Sequence, residues 1–114
     1  MKLVAKVLLE KLKSEPLVRL EYPPFDVVVA WVGGKALAIE DACNHAGASL
    51  TEGGLSDDRP GCIVCPMHGY VFSMKTGELI APRGLCGDQR TFVTKIVGEE
   101  VEVWDTFEVH LTHG

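Results

Sequence analysis

Two short segments, Cys43-Asn44-His45 and Cys65-Pro66-Met67-His68, constrain this chain more than any other part of it. Each offers one thiol and one imidazole, side chains that bind borderline and soft metal ions once deprotonated. Residues 46–64 separate the two segments, enough for one loop to leave a site and a second to return beside it. A fold for this chain must therefore hold two such loops against each other, and the remaining residues are expected to be scaffold. Zinc-finger spacing sets Cys with Cys on one turn and His with His on another, whereas both turns here are mixed.

Mixed pairs suit a two-metal centre. A 2Fe-2S cluster in which two imidazoles replace two thiolates on one iron needs one of each from each loop. The segments Cys43-Asn44-His45-Ala46-Gly47-Ala48 and Cys65-Pro66-Met67-His68-Gly69-Tyr70 resemble the two cluster-binding loops of Rieske proteins. The resemblance continues through Phe72, the Thr76-Gly77-Glu78 turn and Pro82, which is similar to the proline-bearing loop covering the cluster's other side. It implies one Rieske-type 2Fe-2S cluster bound by Cys43, His45, Cys65 and His68. Rieske proteins of respiratory and photosynthetic cytochrome complexes add a disulfide between the loops, but the matching positions here are Ala48 and Met67. Where those proteins place Ser and Tyr hydroxyls against the cluster, this chain has Tyr70 and Phe72. Fewer donors to sulfur imply a potential at the low end for Rieske centres, on the order of −150 mV. The resemblance thus points to a soluble Rieske ferredoxin. The polar run Ser56-Asp57-Asp58-Arg59-Pro60-Gly61 between the segments reads as an exposed hairpin tip.

At 114 residues and 46% hydrophobic composition, the chain is expected to form a single domain over residues 1–114. No apolar run is long enough to span a bilayer and no secretory leader is evident, so the expected location is the cytoplasm. Cys62 and Cys86 are expected to be reduced thiols. Sixteen acidic against eleven basic residues give a net charge of −5, which argues against nucleic acid as a partner. An acidic surface suits a small carrier that docks briefly on a basic patch of a redox partner, though it also simply favours solubility.

The scaffold reads as β. Leu3–Val7, Leu17–Tyr22, Asp26–Val32 and Lys35–Ile39 are expected strands, with Gly33-Gly34 as a tight hairpin turn and Leu8–Lys13 as at most one helical turn. Residues 40–70 lose periodicity and read as loops, in which Gly47 and Gly69 are assigned to close approach of the main chain to the cluster. A hairpin over Val71–Met74 and Glu78–Ile80 follows, then strands at Thr91–Val97 and Glu100–Trp104, and an irregular tail or a final edge strand over residues 105–114. The expected class is all-β, a sandwich or barrel of the Rieske type with a small cluster-binding subdomain formed by two loops.

Other residues read more plainly. Cys62, beside Ile63 and Val64, is expected as a small core residue in a strand, pointing away from Cys65. Cys86 has no ligand role left to fill. Trp31 and Trp104 are expected core aromatics, and His110 and His113 a solvated pair. A structural zinc site remains an alternative for the four ligands, and a Cys/His nucleophile lacks a pocket and an orienting acid.

Imidazole carries less negative charge than thiolate, so the iron held by His45 and His68 is expected to accept the electron while that held by Cys43 and Cys65 stays ferric. The function implied is a diffusible carrier, not itself an enzyme. It would be a monomer passing single electrons from a flavin-dependent reductase to a terminal oxygenase or similar redox enzyme. The alternatives are the small Rieske subunit of an NADH-dependent nitrite reductase and a zinc-stabilised interaction domain.

Overall fold

The computed structural model describes residues 1–43, 47–67, 69–82 and 87–106. Its strands are β1 (Lys2–Leu8), β2 (Val18–Leu20), β3 (Val27–Val32), β4 (Lys35–Glu40), β5 (Gly54–Leu55), β6 (Cys62–Val64), β7 (Val71–Ser73), β8 (Leu79–Ala81), β9 (Thr91–Val97) and β10 (Glu100–Asp105). They form a six-stranded sheet in the order β1-β10-β9-β4-β3-β2 and a four-stranded sheet in the order β5-β6-β7-β8. Every pairing is antiparallel. The all-β class is as expected. The helix α1 (Leu9–Ser14) is a turn and a half whose Leu12 is buried in the core.

Strand β3 explains the arrangement. Its run Val27-Val28-Val29-Ala30 is fully buried on both faces. Alternate side chains of a strand point to opposite sides, so Val27 and Val29 enter one core with Val7, Leu12, Ala38, Phe92, Val101 and Val103. Val28 and Ala30 enter a second core with Ile39, Leu50, Ile63, Phe72, Met74 and Leu79. Strand β4 divides likewise, Ala38 facing the first core and Ile39 the second. The β3–β4 hairpin is thus the wall between a scaffold core and a core that supports the small sheet.

Three expectations are corrected. Residues 40–70 are not all loop, because Gly54–Leu55 and Cys62–Val64 pair as β5 and β6; strands of two and three residues are too short to show a period. Cys62 is half-buried instead of part of the core: it points away from the face that buries Ile63 and lines a surface cavity with Val32, Lys35, Pro60 and Lys75. Trp104 belongs to neither core. It lies half-buried on the outer face of β10, where its indole N–H donates to Glu102 Oε1 at 3.1 Å and Lys95 Nζ stands 5.9 Å from its ring. Trp31 does pack against the first core. The tip between β5 and β6 is exposed from Asp57 to Pro60, as expected. Cys86, His110 and His113 lie outside the described residues.

Candidate metal centre

The two cysteines stand at the start of loops closed in the same way. Cys43 N–H donates to Ala48 O at 2.7 Å, and Cys65 N–H donates to Tyr70 O at 2.7 Å. Each bond spans five residues. In both loops the fourth residue after the cysteine is a glycine in the left-handed region, Gly47 at φ 71° and Gly69 at φ 69°. L-residues pay strain at this angle, which accounts for glycine at both places; a Cβ on either would meet no protein atom within 4 Å. Both cysteines are buried, Cys43 at 2% exposure and Cys65 at 1%, in the second core. No disulfide joins Cys43, Cys62 and Cys65 to one another. His45 and His68, the other two expected ligands, lie outside the described residues.

The supports of the first loop are polar and buried. Asp41, two residues before Cys43 and 1% exposed, is one of them. Its Oδ2 accepts from Ser49 Oγ at 2.6 Å, and its Oδ1 accepts from the Thr51 N–H at 2.9 Å and Thr51 Oγ1 at 2.5 Å. The departing and returning arms are thereby fastened together, with an isolated bridge between Ala42 and Ser49 alongside. Arg19 lies 3.6 Å from Asp41 Oδ2 and 2.7 Å from Asp26 Oδ2, joining loop and scaffold. The Tyr22 N–H and the Arg19 guanidinium hold the Asp26 carboxyl below its ordinary range. Burial pushes the Glu40 carboxyl up, against the opposing pull of Arg90.

The second loop rises from the β6–β7 ladder, with Ile63 opposite Phe72 and both fully buried. Phe72 offers no hydroxyl and fills core; Tyr70 packs against the same core. The loops meet at Gly53, where a Cβ would lie 1.9 Å from Val64 O and 3.2 Å from Pro66 Cδ. A comparable approach occurs at Gly77, whose Cβ would lie 2.0 Å from Gln89 O. The approach expected at Gly47 and Gly69 is to the cluster; the tight approaches of protein to protein fall at Gly53 and Gly77, which nothing in the sequence distinguishes from other loop glycines. Asp41 and Gln89 also support the site; a carboxylate two residues before Cys43 was a local signal for the first, and nothing near either segment marked the second. Phe25 and Met67 are exposed, and a surface cavity lined by Phe25, Glu40, Ala42, Cys43 and Gly47 opens beside the first loop.

Residues 4–86 match the Rieske [2Fe-2S] domain family. The chain is 38% identical over 87 residues to the ferredoxin component of biphenyl 2,3-dioxygenase from Rhodococcus jostii (strain RHA1), covering 76% of this chain and 78% of that protein. Its fold is similar to the ferredoxin of carbazole 1,9a-dioxygenase from Nocardioides aromaticivorans IC177, with a TM-score of 0.80 and 25% identity over 93% of this chain and 100% of that one. A ferredoxin–oxygenase complex of carbazole 1,9a-dioxygenase aligns at a TM-score of 0.74 and 30% identity, covering 87% of this chain and 99% of that one. The cofactor of this domain is a Rieske-type 2Fe-2S cluster. Two buried thiols on matched loops, unbridged and beside a common core, fit that group. The chain belongs to the Rieske [2Fe-2S] domain family.

Proposed function

We propose that this chain is the ferredoxin component of a dioxygenase system, taking single electrons from a flavin-dependent reductase and delivering them to a terminal oxygenase. The observation that carries this reading is the similarity to a biphenyl dioxygenase ferredoxin across three quarters of the chain, 76%. Cys43 and Cys65 are the ligands of one iron, and His45 and His68 those of the other. When bound, the cluster supplies a one-electron redox centre. The protein's own part is to hold two thiolates dry in a common core and to keep the loops at a fixed separation. Phe72, buried and without a hydroxyl, offers no donor to sulfur, which supports a potential at the low end, on the order of −150 mV. Among the described residues no helix is long and apolar enough to cross a membrane. The proposal further takes residues 1–114 as one domain, monomeric and cytoplasmic. Its acidic surface, with a net charge of −5, favours brief docking on basic patches of both partners.

The test is the visible and electron-spin-resonance spectrum of aerobically purified protein before and after dithionite, with iron and sulfide content. The expected result is a reddish-brown protein with two irons and two sulfides per chain and the low average g value of mixed His/Cys ligation, reoxidised when mixed with a terminal dioxygenase. A colourless protein with one zinc per chain overturns the reading. A cluster-bearing protein that reduces a sirohaem nitrite reductase subunit and no dioxygenase moves it to that enzyme.

A further inference from the structure

Gln89 is 3% exposed and lies outside both loops, yet its hydrogen bonds converge on the root of the first. Its side-chain nitrogen donates to Glu40 O at 2.9 Å and to Ala42 O at 2.7 Å. Its own backbone N–H donates to Gly77 O at 2.7 Å, and its carbonyl oxygen approaches Gly77 so closely that only glycine fits there. Gln89 thereby ties the end of β4, the residue before Cys43, and the turn between β7 and β8. Among the described residues the two sheets share no ladder, so this clasp is a fixed link between the strand feeding the first loop and the turn after β7, the strand that leads out of the second.

The bond to Ala42 O acts on the peptide that leads into Cys43. The carbonyl of that peptide is held by Gln89, and its N–H is held by Ala48 O. A peptide unit bonded at both ends cannot rotate without losing one bond, so the Cα of Cys43 has a set direction. In the second loop the equivalent carbonyl, Val64 O, belongs to a residue paired in the ladder with Gly54. One side chain thus does for the first loop what a strand does for the second.

We propose that Gln89 is a positioning residue for the cluster, setting where the Cys43 loop stands relative to the Cys65 loop and thereby the ligand geometry and reduction potential. The inference rests on the ligand set proposed above. The chemistry favours an amide: two carbonyls require two N–H donors from one nitrogen, and an ionised carboxylate offers none.

The test compares holoprotein of the wild type, Gln89→Leu, Gln89→Asn, and Val101→Ala as a control that lowers stability through the first core, away from the loops. Gln89→Leu is expected to displace the electron-spin-resonance g values, shift the midpoint potential and speed cluster loss to an iron chelator by about tenfold or more. Gln89→Asn, with both donors on a shorter arm, is expected to fall between it and the wild type. Val101→Ala is expected to unfold at lower urea with an unaltered spectrum and potential. Gln89→Leu with wild-type g values and potential overturns the inference and leaves the ligand assignment standing. Equal spectral shifts in Val101→Ala, or failure of both Gln89 variants to fold while the control folds, reduce Gln89 to a structural role and also overturn it. A wild type without iron and sulfide removes the ligand assignment and the inference together.

Discussion

The two cysteine loops share one closure and differ in what supports it. Each is shut by an N–H from its cysteine to the carbonyl five residues on, with a glycine at positive φ in fourth place. The second loop grows out of a hairpin whose Ile63 and Phe72 face each other in the core, so its geometry comes from adjacent strands. Among the described residues the first has a single isolated bridge beneath it, and it is held by two buried polar side chains, Asp41 nearby and Gln89 from across the chain. The same local conformation can rest on apolar packing or on a buried hydrogen-bond network. The first yields to cavities, and the second to the loss of a single acceptor or donor.

The largest expected effect separates these supports. Phe72→Ala should cost about 3–5 kcal/mol in urea unfolding, by emptying a fully buried aromatic site under the second loop. Asp41→Ala should cost about 3 kcal/mol, because the Ser49 and Thr51 donors lose a common acceptor. The two should part in hydrogen exchange: Asp41→Ala exposes the Thr51 amide first, and Phe72→Ala the β6–β7 amides. Identical exchange patterns would mean that the loops open as one unit and would break the comparison.

A glycine pair sharpens it. In protein without its cluster, Gly47→Ala meets backbone strain, about 1 kcal/mol, since a Cβ there touches no protein atom. Gly53→Ala has no positive φ to contend with but places a Cβ 1.9 Å from Val64 O, so the contact between the loops must open. Gly53→Ala should therefore lower the thermal midpoint more than Gly47→Ala. The reverse order would show that the contact between the loops gives way easily.

The smallest effect is a pH dependence at the scaffold end of the Arg19 link. The Asp26 carboxyl is lowered by the Tyr22 N–H and by Arg19, so its ionised form stabilises the fold. That stability is present above the ordinary aspartate range and is lost as pH falls through the lower folded value. Asp26→Asn should thus lower the urea midpoint near neutral pH and have a diminishing effect toward about pH 3. An equal loss at both pH values would show that the carboxylate's charge contributes nothing there.

Several features were legible before the fold was known because their signals are local. A Val-rich run flanked by Gly33-Gly34 announced β3 and β4, alternation announced β9 and β10, and Cys43-Asn44-His45 with Cys65-Pro66-Met67-His68 announced the family. The short strands β5 and β6 were hidden because two or three residues cannot display a period. The outward placement of Cys62 and Trp104 was hidden because composition does not say which face of a strand is covered.

The sequence by itself determined the family, the spacing of its two Cys/His segments and the β class, since these follow from side-chain chemistry and from the two-residue repeat of a strand. Only the tertiary structure decided how the loops are held apart. That β3 is buried on both faces, that Gly53 rather than Gly47 marks where the loops meet, and that Gln89 fastens a carbonyl 47 residues away all depend on long-range contacts. A hydrogen bond or close approach between distant segments leaves no mark in the residues on either side of it. It exists only once both cores have packed against the β3–β4 wall and brought its partners within reach.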